Sequence, residues 1–101
     1  LKFKDSIDEI RIEGHTSSLG GYFHNMQLSQ DRTRAVLEYI YNLNEVVNNK
    51  NWIVQHVAAV GLSSSKPILK DNKEDEIASR RVSFRVITNS EIQMRKILEV
   101  E

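Results

Sequence analysis

The chain has 101 residues, 40% of them apolar and 28% charged, which suits one domain around one core and argues against a disordered segment. Fourteen basic residues balance fourteen acidic ones, so no overall field draws nucleic acid or anionic lipid, and a charged ligand must be held by local groups. The absence of cysteine excludes a disulfide scaffold and a cysteine metal site, while leaving the redox compartment open.

No apolar run approaches the roughly 20 residues of a spanning helix, and Leu1-Lys2-Phe3-Lys4-Asp5 has no signal-peptide core, so any membrane anchor is expected outside this stretch. From Ile7 to Gly14, Ile10 and Ile12 alternate with Glu9, Arg11 and Glu13, the period-two pattern of a strand with one buried face. Gly14 and the polar run through Gly20-Gly21 end it in a loop. From Ser29 to about Val47, the residues Val36, Leu37, Ile40, Leu43 and Val47 recur at helical spacing, which predicts an amphipathic helix. Ser29 is then its expected N-cap, and Asp31 lies near its positive end.

Asn48-Asn49-Lys50-Asn51 interrupts that pattern, Trp52 to Gln55 suits a short helical turn, and His56 to Val60 reads as a second strand ending at Gly61. Ser63-Ser64-Ser65-Lys66-Pro67 is a loop, and the charged segment from Lys70 to Ser79 has room for one helical turn. Val82, Phe84 and Val86 alternate with Arg81, Ser83 and Arg85, a third strand with its apolar residues inward and its arginines on the outer face. Ser90 with Gln93 forms a capping box before a terminal helix over about 90–100, with Ile92, Ile97, Leu98 and Val100 on its apolar side. Strand, helix, strand, strand, helix predicts an α/β (α+β) sheet with helices packed on it, and the first crossover favours a parallel pair.

The order Ile10-Arg11-Ile12-Glu13-Gly14-His15-Thr16, then Asn25-x-x-Leu28-Ser29-x-x-Arg32-x-x-x-Val36, then Gly61, Pro67 and Arg80-Arg81-Val82 resembles the OmpA-like peptidoglycan-binding domain. That domain is shared with MotB-type stator subunits and peptidoglycan-associated lipoproteins, and the resemblance covers roughly residues 7–88. It implies a two-layer sandwich with a mixed sheet and helices on one face, non-covalent binding of the diaminopimelate residue of the wall peptide, no cofactor, and a periplasmic place in a Gram-negative envelope. The site it implies comprises Arg32 for the ligand carboxylate, with Asn25, Leu28, Thr16 and Ser17 around it and Arg80 as a second polar contact. A guanidinium fork suits a carboxylate, and a nearby helix N-terminus adds partial positive charge.

The chain departs from that pattern at two places. Where the family reads His-Thr-Asp, it reads His15-Thr16-Ser17, so the carboxylate that grips the ligand's ammonium is missing. Ser79 likewise replaces an asparagine before the two arginines. Serine brings no charge, so weaker affinity, a different peptide or an acid supplied from elsewhere is expected, with Glu13 and Asp31 the nearest acids in sequence. The alternative is a degenerate copy serving dimerisation or docking, and a homodimer fits either reading. Of the strand and helix that open the family domain, only a helix tail fits residues 1–6, so the entry strand is expected to be missing or replaced by another element.

Tyr22-Phe23-His24-Asn25-Met26, Leu28 to Arg34 and Ser63-Ser64-Ser65-Lys66 also resemble the MotB-like subunits of Zorya anti-phage systems. That resemblance implies a wall anchor for an ion-driven membrane motor, with a membrane helix before residue 1. Other chemistries are less well served. His15, His24 and His56 lack metal-site spacing. Ser17 and Ser29 lie in no nucleophile elbow, which argues against a hydrolase. Without a basic stripe, Tyr22, Phe23, Tyr39, Tyr41 and Trp52 suit core and loop packing better than base stacking.

Overall fold

The computed structural model describes residues 4–89, so the expected terminal helix lies outside the described residues. A 3-10 turn at Lys4–Ser6 leads into strand β1 (Ile7–His15), followed by helix α1 (Tyr22–Tyr41), a 3-10 stretch (Asn44–Asn49) and helix α2 (Lys50–His56). Strand β2 (Val57–Gly61), the short strands β3 (Leu69–Lys70) and β4 (Lys73–Glu74), helix α3 (Glu76–Ser79) and strand β5 (Arg81–Thr88) complete it. The main sheet has the order β2-β1-β5, with β1 parallel to β2 and antiparallel to β5, while β3 and β4 form a separate hairpin. The α/β sheet and its parallel first crossover are those expected from the pattern, and its mixed character is the one the family resemblance implies.

The alternation in β1 turns Ile10, Ile12 and Gly14 toward α1 and α2, and Ile12 and Ile53 are buried between the layers. At the C-terminal ends of β1 and β2 the layers come unusually close, because Gly14 and Gly61 are side by side in the parallel register. A methyl group on Gly14 would stand 2.6 Å from the Ser29 carbonyl oxygen and 2.8 Å from Thr33 Cγ2, and one on Gly61 would stand 2.7 Å from Ser29 Oγ. Facing this seam, α1 presents small polar residues, Asn25, Ser29 and Thr33, all buried at helical spacing. Ser29 Oγ donates to the Met26 carbonyl and Thr33 Oγ1 to the carbonyls of Ser29 and Gln30, so neither hydroxyl is buried without a bond.

That polar stripe corrects the expected start of the helix. Helix α1 begins after Gly21, whose backbone is extended (φ −76°, ψ 154°), and Ser29 is a buried mid-helix residue rather than its N-cap. Apolar periodicity is blind to the first turns because their buried face is polar. At the other end the helix stops at Tyr41, since Leu43 adopts ψ 140°. Val47 therefore belongs to the 3-10 stretch. Asp31, mid-helix and exposed, pairs with Arg34 at 3.9 Å and is remote from the helix dipole's positive end. His56 closes α2, stacked on Trp52, instead of opening β2.

Strand β5 also differs from its predicted pattern. Phe84 and Val86 share the face of Ile12 and Ile10 but remain 57% and 49% exposed, because α1 packs over β1 and β2 while β5 lies on the far side of β1; Ile87 is the residue β5 buries. Core packing fails for other aromatics as well. Tyr22, Phe23 and Tyr39 are exposed, Phe23 at 82%, and Tyr22 meets Phe23 edge to face at 5.3 Å.

The glycine seam gives a direct test. Gly14→Ala forces backbone to move and is expected to lower stability by about 1–3 kcal/mol, measured by chemical denaturation. Gly21→Ala meets nothing within 4 Å at an ordinary φ and is expected to be neutral or to stabilise by up to about 1 kcal/mol.

Candidate functional site

Beyond β1 the chain continues the parallel ladder for two more bonds, from Leu62 N–H to the Gly14 carbonyl and from Thr16 N–H to the Ser63 carbonyl, each 2.9 Å. Ser63, buried at a left-handed φ of 53°, donates its backbone N–H to Ser29 Oγ and its hydroxyl to the Tyr22 carbonyl. One serine thus joins the ends of β1 and β2 to the first turns of α1.

The loop 16–21 is held from inside by Asn25. Its amide donates to the carbonyls of Ser17 (3.3 Å) and Leu19 (3.0 Å), and the Thr16 hydroxyl donates to the same Ser17 carbonyl. Gly20, at φ +91°, makes the left-handed turn that leads into α1. From outside, Glu74 on β4 accepts the Ser18 N–H at 2.8 Å and the Ser18 hydroxyl in a short bond.

Between this loop, α1 and the end of α3 lies a cleft of about 130 Å³ lined by Thr16, Ser17, Leu19, His24, Asn25, Leu28, Arg32 and Arg80. All six residues picked out by sequence line this one cleft. Leu19 and His24 were missed. The signal for His24 and for the shared stripe of Asn25, Leu28 and Arg32 is their three- and four-residue spacing, which appears once the helix is extended back to Tyr22.

The cleft is cationic. Among the described residues Arg32 makes no ion pair, whereas Arg80 sits 3.7 Å from Glu76. Arg32 stands ten residues into α1, so the helix dipole, which acts within the first turn, is not what strengthens it. Neither acid expected to replace the missing aspartate reaches the cleft. Glu13 points to the sheet face opposite Ile12 and Gly14, and Asp31 is turned toward Arg34. Ser17 is buried, and its hydroxyl has no hydrogen bond among the described residues, leaving it to the cleft.

His15 takes no part in holding the loop. On the opposite sheet face, its Nε2 lies 3.2 Å from Ser83 Oγ, while its buried Nδ1 has no partner among the described residues. Burial, reinforced by Arg81 and Lys66 and opposed by Glu13, lowers its pKa below the ordinary 6.5. Arg81 is occupied with the carbonyls of Ser79 and Lys66. Ser79, at the position where the family reads asparagine, is buried and accepts the Ile68 N–H, which ties α3 to the residue that leads into β3.

Fold and cleft together define a small two-layer α/β domain with a polar, cation-lined recess at the end of its parallel strand pair. Residues 1–81 match the OmpA family, and the chain belongs to that family. It is 49% identical to the Zorya protein ZorB of Escherichia coli, over 96% of this chain and 45% of that protein. It is also 36% identical to the peptidoglycan-associated lipoprotein of Buchnera aphidicola subspecies Baizongia pistaciae, over 77% of this chain and 41% of that protein. The chain therefore spans less than half the length of these relatives. Both resemblances drawn from the sequence are met.

Because the unfolded His15 binds its proton more readily than the folded one, its stabilising contribution is full above pH 6.5 and is lost as pH falls through 6.5 toward the lowered folded value. The melting temperature is expected to drop between about pH 7.5 and 5.5, where carboxylates stay ionised. In His15→Gln that drop should shrink.

Proposed function

We propose that this domain binds the stem peptide of peptidoglycan non-covalently and so anchors a membrane-attached protein to the cell wall. The observation that carries the reading is the Arg32 guanidinium, without an ion pair among the described residues, at a polar cleft with Arg80 beside it and hydroxyl and amide groups of Thr16, Ser17 and Asn25 around it. A planar fork is suited to a bidentate bond with a carboxylate brought by a ligand. Diaminopimelate, whose side chain ends in both a carboxylate and an ammonium, is the stem-peptide residue proposed to enter.

Membership of the OmpA family, and likeness to a peptidoglycan-associated lipoprotein and to a Zorya protein, support peptidoglycan binding or anchoring in general, and association with the cell envelope. Periplasmic placement, an anchor outside this stretch and a wall-holding role in a stator-like complex extend that reading. The chemistry required is recognition: the cleft orients donors and acceptors and takes part in no bond making.

Sedimentation with purified sacculi tests it. The wild-type domain is expected to pellet with them, and Arg32→Ala to lose binding by about tenfold or more, with Arg32→Lys intermediate because a point charge replaces the fork. Equal pelleting of wild type and Arg32→Ala would remove the role given to this cleft. No pelleting by either would favour the docking-module alternative.

A further inference from the structure

We propose that His24 gives the cleft a second anion site, so that the domain selects ligands carrying two carboxylates, one held at Arg32 and one at the start of α1. The inference deepens the reading that Arg32 takes a ligand carboxylate, and it rests on that reading. Its starting point is a side chain that lines the cleft and has no hydrogen-bonding task in the fold.

His24, Leu28 and Arg32 recur every four residues on α1, and all three line the cleft. They form one row along the helix. The two nitrogen-bearing side chains are eight residues apart, about 12 Å along the axis, with the apolar Leu28 between them. The cleft therefore has length as well as charge. It also opens at the His24 end, where His24 and Leu28 join Gln27 and Asp31 in lining an adjoining groove of about 190 Å³. A ligand held at Arg32 can run over Leu28 to His24 without leaving a lined surface.

The imidazole is placed but unengaged. Gly20, at φ +91°, brings the loop beside it, and a β-carbon there would stand 3.5 Å from His24 Cδ2. Among the described residues neither ring nitrogen of His24 has a hydrogen-bond partner, whereas His15 reaches Ser83 and His56 the Asp8 carbonyl. No carboxylate lines the cleft, and Asp31 in the adjoining groove is turned toward Arg34. The first turn of α1 contains no acidic residue and Gly21 offers no side-chain cap, so the partial positive charge of the helix start also acts at His24, its third residue. Arg80 suits the second anion less well, because Glu76 already shares its guanidinium at 3.7 Å. These features fit two carboxylates joined by a chain that crosses Leu28. In a γ-glutamyl-diaminopimelate peptide, the glutamyl α-carboxylate and the diaminopimelate side-chain carboxylate stand at the two ends of such a chain.

The test compares two peptides by calorimetric titration: alanyl-γ-glutamyl-diaminopimelate, and the same peptide with its glutamyl α-carboxylate converted to the amide. Both keep every group of the diaminopimelate residue. Wild type is expected to prefer the free carboxylate by about fivefold. His24→Ala should bring the ratio near one while binding the amidated peptide as wild type does, and His24→Arg should restore the preference. A His24 that merely shapes the cleft would weaken both peptides alike in His24→Ala and leave the ratio unchanged, which overturns the proposal. Equal binding of the two peptides by wild type overturns it too, and leaves the carboxylate reading at Arg32 standing. Binding of neither peptide by wild type would overturn that reading along with it.

Discussion

Everything in this domain depends on how closely α1 lies against the parallel pair of β1 and β2. Gly14 and Gly61 stand in register, and the atoms of Ser29, Gln30 and Thr33 occupy the space that any side chain there would need. Ordinary helix-on-sheet packing through large apolar side chains holds the layers about 10 Å apart, and here one end of the helix sits nearer. Closeness removes water from polar groups, so each must find a partner inside. Ser29, Thr33 and Ser63 do so with backbone carbonyls and N–H groups, which fastens the helix to the ends of both strands.

The cleft follows from that seam. Once the start of α1 is held against the strand ends, Asn25 is placed under the loop it fixes, and Leu28 and Arg32 line the recess one and two turns further along. The remaining side comes from the segment after Ile68, whose short helix α3 brings Arg80. Affinity for a charged group is best served when donors are already oriented before it arrives. The loop satisfies this, its carbonyls being engaged by Asn25 and Thr16 and its Ser18 by Glu74.

The strands were legible because β1 alternates in plain view and β2 is an apolar run ending in glycine. The first half of α1 was not, since its buried positions are Asn25, Ser29 and Thr33, residues that a pattern of hydrophobicity reads as loop or cap. A serine that caps and a serine that packs a seam look the same in sequence, and only the facing glycines distinguish them. For β5 the alternation was visible but its burial was not, because burial depends on whether a helix covers that strand, and α1 lies over β1 and β2 instead. The β3–β4 hairpin escaped notice for a further reason: two-residue strands carry no period.

By itself the sequence determined the fold class, the family and six of the eight residues that meet in the cleft, because motif order along the chain is a local property that survives without coordinates. Tertiary structure alone decided the charge pattern of that cleft. It turned Glu13 to the far face and Asp31 toward Arg34, left Arg32 without an ion pair among the described residues, and set Arg80, beside Glu76, at the same cleft. The physical reason is that a carboxylate acts through space over a few ångströms, and separation along the chain does not reveal which distant residue the fold will bring within that range.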